Sequence, residues 1–151
     1  MQGELVDEST PICHRLRVHS STTLPPWFTP EKAHLVLGKR GERIASKYLR
    51  SLGYILKGRN VRLGKDEIDI IAFDPQEEIL IFAEVKTRTT LSEDYPPALN
   101  VSAKKRKRLR RSARAWVDAH DYDGAYRLDV LCVAEGRVVQ HLLDLAWEND
   151  E

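Results

Sequence analysis

A mixed β-sheet flanked by helices, an α/β fold, is predicted by three features of this sequence. The elements run helix, three strands, helix, two strands. The central pair of strands is apolar on both faces near its turn, as a buried hairpin is, and each helix carries an inward apolar stripe. The first helix takes Ala33, Leu37, Ile44, Ala45, Tyr48, Leu49 and Leu52 at helical spacing and stops at Gly53. Gly38 and Gly41 interrupt its early part, so the firm helix is expected over about residues 41–52. Residues 54–62, YILKGRNVR, read as a strand broken near Gly58. Residues 67–73 and 79–87 form a hairpin, with Asp74-Pro75 opening its loop. Residues 88–98 are polar, contain Pro96-Pro97 and read as a loop. A second helix follows over about 99–119, with Val101, Leu109, Ala113, Trp116 and Val117 facing inward. Residues 126–134 and 137–143 are two more strands around a Glu135-Gly136 turn.

A chain of 151 residues has the length of one ordinary domain. Residues 1–30, with Pro11, Pro25, Pro26 and Pro30 around the polar run HSSTT, read as a loosely ordered extension, and 31–151 as the single folded unit. Leu24, Trp27 and Phe28 are the groups in that extension able to dock. A 42% hydrophobic content without any apolar run near ~20 residues argues against a spanning helix. The start, MQGELVDEST, lacks the features of a secretory signal, and Cys13 and Cys132 have no zinc-type spacing. A cytoplasmic location is the expectation. The net charge of +1 conceals the run KKRKRLRRSAR at 104–114, which holds eight basic residues and no acidic one. Such a block needs solvent or a polyanion opposite it, and nucleic acid is the obvious partner. Lys104, Lys105, Arg108 and Arg111 can share one face of the second helix and contact a phosphate backbone. The alternative is a solvated, solubilising helix.

The hairpin carries the chemistry. A turn between Gln76 and Glu77 pairs residues whose numbers sum to 153, which sets Asp69 opposite Glu84 and Glu67 opposite Lys86. Like charges directly opposite are unfavourable in a strand pair. Strand alternation puts Glu67, Asp69, Ile71 and Phe73 on one face with Leu80, Phe82, Glu84, Lys86 and Arg88. Ile68, Ile70, Ala72, Ile79, Ile81, Ala83 and Val85 take the other. Burying two carboxylates would cost several kcal/mol unless a cation joined them. Mg2+ or Mn2+ fits hard oxygen ligands, with a main-chain carbonyl such as that of Val85 and a substrate phosphate completing the shell. Lys86 would then stabilise charge on the phosphate. An E-x-K triplet alone is common on surface hairpins; the opposed Asp69 is what singles this one out, and a one-residue slip in register would remove it. Glu42 at the start of the first helix has two readings, helix-end stabilisation by free amides and a metal or water-mediated ligand. Arg62 has two as well, phosphate positioning with Asn60 or a salt bridge to Glu67 or Asp69. Arg127 and Asp129 can form a structural ion pair at a strand end. None of the five histidines has metal-ligand spacing.

The stretches GKRGERIASKYLRSLGYILKGRNVRLGKDEIDIIAFD, ILIFAEVKTRT, VSAKKRKRLRRSARAW and YRLDVLCV resemble the YraN-like family of small predicted endonucleases. The likeness spans about residues 38–146 and rests on the combination of GE, N-x-R, EID and E-V-K. It implies a restriction-endonuclease-like fold related to archaeal Holliday-junction resolvases, and a metal-dependent nuclease activity on DNA, with branched or structured DNA as the family-suggested substrate. It also implies roles. Glu42 matches the helix carboxylate, Asp69 the metal-binding aspartate, and Glu84 with Lys86 the E-x-K pair. Glu67 matches the acid two residues before that aspartate, Asn60 and Arg62 the N-x-R positions, and Arg127 and Asp129 the R-F-D element. Two positions depart from the pattern: Leu128 replaces the usual phenylalanine, and Asp66 stands where glycine is typical. Symmetric two-strand cutting would call for a homodimer or two binding events. The competing readings are a catalytically inactive nucleic-acid-binding module and a protein-interaction domain with a basic helix.

Overall fold

The computed structural model describes residues 29–89 and 101–144. The expected extension before residue 29, the Pro96-Pro97 loop, Cys13, His14 and His19 lie outside the described residues. The order is α1 (Pro30–Ser51), β1 (Ile55–Leu63), β2 (Asp66–Asp74), β3 (Ile79–Thr87), α2 (Ala103–Ala119), β4 (Tyr126–Ala134) and β5 (Arg137–Leu142). The five strands form one sheet in the order β1-β2-β3-β4-β5. β3 and β4 are parallel and all other neighbours antiparallel. α2 supplies the crossover that a parallel pair requires. This is the α/β, restriction-endonuclease-like arrangement expected from the sequence, a mixed sheet with helices on it.

Each helix covers its own cluster of sheet side chains. Ala45 and Leu49 of α1 pack with Ile70, Ala72, Ile81, Ala83, Leu131 and Val133. Leu109 and Ala113 of α2 pack with Ile68, Ile71, Leu80, Phe82 and Leu128, and Trp116 meets the Phe82 ring edge-on at 5.5 Å. The hairpin register is the predicted one, with Ile70 opposite Ala83 and Ile71 opposite Phe82. The alternation holds from Ile70 onward but fails at Ile68, which belongs with Ile71 and not with Ile70. The break coincides with Asp69. The β1–β2 ladder steps from Arg59/Ile70 to Val61/Ile68, omitting the Asn60–Asp69 pair, and Asn60 sits at φ 50°. Asparagine tolerates that left-handed conformation better than most residues. The break expected near Gly58 is a bulge between Leu56 and Gly58.

α1 corrects the sequence reading. It is continuous from Pro30, with no weakening before residue 41, because its N-terminus is well built: Pro30 opens the helix, Thr29 accepts a hydrogen bond from the Lys32 amide at 3.3 Å, and Glu31 lies in the first turn. Gly38 and Gly41 cost helix propensity of about 1 kcal/mol each, which the cap and the packing of α1 outweigh. α2 begins at Ala103, a few residues later than expected, behind a Ser102 cap whose hydroxyl accepts from the Lys105 amide. No helix among the described residues is long and apolar enough to cross a membrane.

Candidate active site

Gly41 is buried because α1 lies directly on Thr87, the last residue of β3. A β-carbon at Gly41 would collide with the Thr87 hydroxyl and stand 2.9 Å from both its Cβ and its Cγ2. The close approach sets the position of the next residue, Glu42. Since the helix starts twelve residues earlier, Glu42 has no free terminal amides to stabilise, so that reading fails. Glu42 instead lines a cleft of about 850 Å3 together with Asp69, Asn60, Arg62, Glu67 and Arg108. Gly41→Ala should push α1 off β3, cost about 1–3 kcal/mol through overpacking, and displace Glu42. Thermal unfolding of the purified variant tests this; an unchanged midpoint would refute the close packing.

Asp69 is the centre of strain. Burial, reinforced by the Glu84 charge and then by Glu42 and Glu67, raises its pKa from 3.8 to about 7, although the Val85 amide donates to its Oδ2 at 2.7 Å. The β2–β3 ladder leaves off at Ile70–Ala83, and the Asp69 side chain takes the next strand amide. Glu84 is 7% exposed. Its Oε1 lies 3.6 Å from Lys105 Nζ and 3.4 Å from Arg108 Nη2, both on α2. Burial and the adjacent Lys105 lower the Lys86 pKa, against the pull of Glu84. Glu84 thus acts electrostatically on both Asp69 and Lys86, although the ladder itself stops one rung short of an Asp69–Glu84 pair.

The basic helix is not a surface apart from this acidic site. Leu109 and Ala113 turn inward as expected, and Lys104 is exposed. Lys105 and Arg108, however, meet Glu84, while Arg111 holds Asp66 through Nε at 2.9 Å and Nη2 at 2.6 Å. The departure at Asp66 therefore has a partner in this chain, and its charge is largely compensated. Arg62 reaches Glu67 at 3.8 Å with its side chain 83% exposed, a pairing that counts for little in water. Arg127 and Asp129 stand away from the cleft in a buried network. Arg127 Nε donates to Asp129 Oδ1 at 3.0 Å, its Nη2 donates to the Tyr54 hydroxyl at 2.9 Å, and His141 Nε2 is 2.9 Å from Asp129 Oδ2. Burial opposes the Arg127 charge, but Asp129 and Tyr54 outweigh it and hold its pKa above the ordinary value. The structural ion-pair reading applies to this pair.

Among the described residues no group of three or more His, Cys, Asp or Glu side chains could hold a metal ion by itself. Glu42, Asp69 and Glu84 accordingly form no closed cage. The chemistry of the remaining donors still suits one hard cation: two interacting carboxylates, one of them with a strongly raised pKa, are what Mg2+ uses when waters and phosphate oxygens fill the rest of its shell. His34, Leu35, Lys39 and Lys65 also line the cleft and were missed in the sequence. Three of them stand three, seven and eight residues before Glu42, on the same side of α1, and would have emerged had the firm helix been extended back to Pro30.

Comparison with known proteins identifies the family. The sequence model of uncharacterised protein family UPF0102 matches residues 41–133, more than half the chain and every residue from Glu42 to Asp129 discussed above. The chain belongs to UPF0102. Similar UPF0102 proteins include one from Chlorobaculum parvum, 42% identical over 101 residues, covering 66% of this chain and 76% of the relative. One from Pseudarthrobacter chlorophenolicus is 38% identical over 125 residues, covering 79% and 92%. One from Chlorobium limicola is 34% identical over 122 residues, covering 74% and 92%. The likeness read from the GE, N-x-R, EID and E-V-K motifs is thereby borne out, and the matched span holds Glu42, the hairpin and the basic helix, while His34, Leu35, Gly38 and Lys39 of the cleft precede it.

Proposed function

We propose that this UPF0102 protein is a divalent-cation-dependent endonuclease that hydrolyses phosphodiester bonds in DNA, with branched or otherwise structured DNA as the preferred substrate and the cytoplasm as its place of work. The observation that carries the reading is the buried acid pair: Asp69, with its pKa raised to about 7 by burial and by Glu84, shares a basic-rimmed cleft with Glu42 and Arg108. Among the described residues Asp69 has no cation paired with it, unlike Glu84, and a buried carboxylate left without its own counter-charge is a functional-site signature. Mg2+ or Mn2+ held by Asp69 and Glu84 would supply charge neutralisation and polarise the phosphate.

The chain's own residues then have separable tasks. Lys39, Arg62, Lys65 and Arg108 rim the cleft and would bind phosphates on either side of the scissile one. Lys86, next to Glu84, stabilises the charge that grows on the phosphate in the transition state. Glu42 faces Asp69 from α1 and orients the attacking water by accepting its hydrogen bond. The Val85 amide fixes the Asp69 carboxylate in place. Two such chains, or two successive binding events, would cut both strands.

The test is cleavage of linear duplex, single-stranded, forked and four-way-junction DNA with Mg2+ or Mn2+. Wild type should cut at least one of these, and Glu84→Gln and Lys86→Ala should each lower the rate about 100-fold or more. DNA binding without metal-dependent cutting would favour the inactive binding module, for which the occupation of Glu84 by Lys105 and Arg108 is the supporting observation.

A further inference from the structure

One side of α2 presents three cations at successive three-residue steps, Lys105, Arg108 and Arg111, and each of them is on an acid of the candidate site. The three contacts are not alike. Arg111 grips Asp66 at 2.6 Å, within the range of a strong charged hydrogen bond. Lys105 and Arg108 approach Glu84 at 3.6 and 3.4 Å, beyond that range, and their side chains are 36% and 43% exposed. Water and ligands reach all three cations, the Arg111 side chain being itself 55% exposed, and contact length alone separates the two loose pairs from the tight anchor one turn further on. The Arg127–Asp129 pair shows what a permanent pair in this fold looks like: 3.0 Å, with side chains 12% and 0% exposed.

Arg108 also lines the cleft. A phosphate entering there meets the same guanidinium that screens Glu84. A divalent cation arriving at Glu84 meets two positive groups already in place, which repel it. The two ligands compete for opposite ends of one contact, so each removes the obstacle to the other. We propose that α2 couples substrate to metal: Lys105 and Arg108 neutralise Glu84 in the free protein, pass to phosphate oxygens when a nucleic-acid backbone enters, and so release Glu84 to the cation. Polyanion and divalent ion then bind with positive cooperativity, and Arg111 on Asp66 keeps α2 seated during the exchange. The identity of the ligands rests on the endonuclease reading; the latch itself rests on the ion pairs.

Two titrations on the full chain test the coupling. Calorimetric titration of Mn2+ without nucleic acid should show the Lys105→Gln/Arg108→Gln double variant binding about tenfold more tightly than wild type, within the usual range of coupling between sites. Arg114→Gln, which removes the same charge from the same helix beside a separate hollow near Tyr126, should change Mn2+ affinity far less. Reciprocally, Glu84→Gln should tighten binding of a fluorescein-labelled duplex in EDTA, and Glu67→Gln should do so much less. Equal or weaker Mn2+ affinity in the double variant overturns the coupling and leaves the metal site standing. Failure of wild type and double variant alike to bind Mn2+ removes the metal site and the coupling with it. Equal effects of Glu84→Gln and Glu67→Gln would reduce the latch to general electrostatics and overturn it too.

Discussion

Asp69→Asn is expected to stabilise the metal-free protein at pH 8 while abolishing its binding of Mg2+ or Mn2+. The sign follows from the raised pKa. Asp69 titrates near 3.8 in the unfolded chain and at about 7 in the folded one, so between those values the native state holds more protons and stability falls as pH rises. Below about pH 4 the residue contributes nothing unfavourable; above pH 7 the penalty is complete and amounts to up to about 4 kcal/mol. Asparagine keeps an oxygen for the Val85 amide and carries no charge beside Glu84. Its unfolding midpoint at pH 8 should therefore exceed that of wild type by roughly 5–10 °C, and the gap should close toward pH 4. Adding Mn2+ should raise the wild-type midpoint and leave the variant where it was. Scanning calorimetry from pH 4 to 8.5, with and without Mn2+, measures all of this. A variant less stable than wild type at pH 8 would show that Asp69 is not a strained carboxylate.

That strain was partly readable in the sequence, and the reason is local. A turn centred between Gln76 and Glu77, flanked by alternating apolar residues, leaves a single register that buries both strands, and that register places Asp69 by Glu84. What failed was the assumption of unbroken alternation. Ile68 joins Ile71 because the Asn60–Asp69 rung is missing, and no periodicity records a left-handed asparagine in the neighbouring strand. Glycine at 41 was misread for a related reason. In sequence it lowers helix propensity, whereas in the fold it is the only residue small enough to sit on Thr87. The partners of Lys105, Arg108 and Arg111 were out of reach altogether. They are set by how α2 lies across the sheet, and a run of eight basic residues looks the same whether it faces solvent, DNA or Glu84. The Asp129–His141 contact was hidden likewise, since a single histidine on β5 carries no spacing signal.

Asp129→Ala should be among the most damaging single changes in the protein and should nevertheless leave the chemistry of the folded fraction intact. Asp129 is fully buried and accepts from Arg127, from His141 and, at 3.1 Å, from the Asp144 amide. Truncation to alanine strands the Arg127 guanidinium with only the Tyr54 hydroxyl, on a side chain 12% exposed. Removing one member of a buried ion pair costs about 3–5 kcal/mol, because the other charge stays where water cannot solvate it. The midpoint should drop by roughly 10–15 °C. Asp129→Asn, which keeps acceptors for the Asp144 amide but loses the charge, should fall between alanine and wild type. The contrast with Asp69 is the informative part: both are acids of the central sheet, yet removing the charge of one should stabilise and removing the other should unfold. The difference is the counter-charge, which Asp129 has in Arg127 and Asp69 lacks among the described residues. Cleavage by Asp129→Ala measured well below its midpoint, per folded molecule, should match wild type. A folded variant that bound DNA and metal normally but did not cut would move Arg127 and Asp129 from the scaffold into the active site.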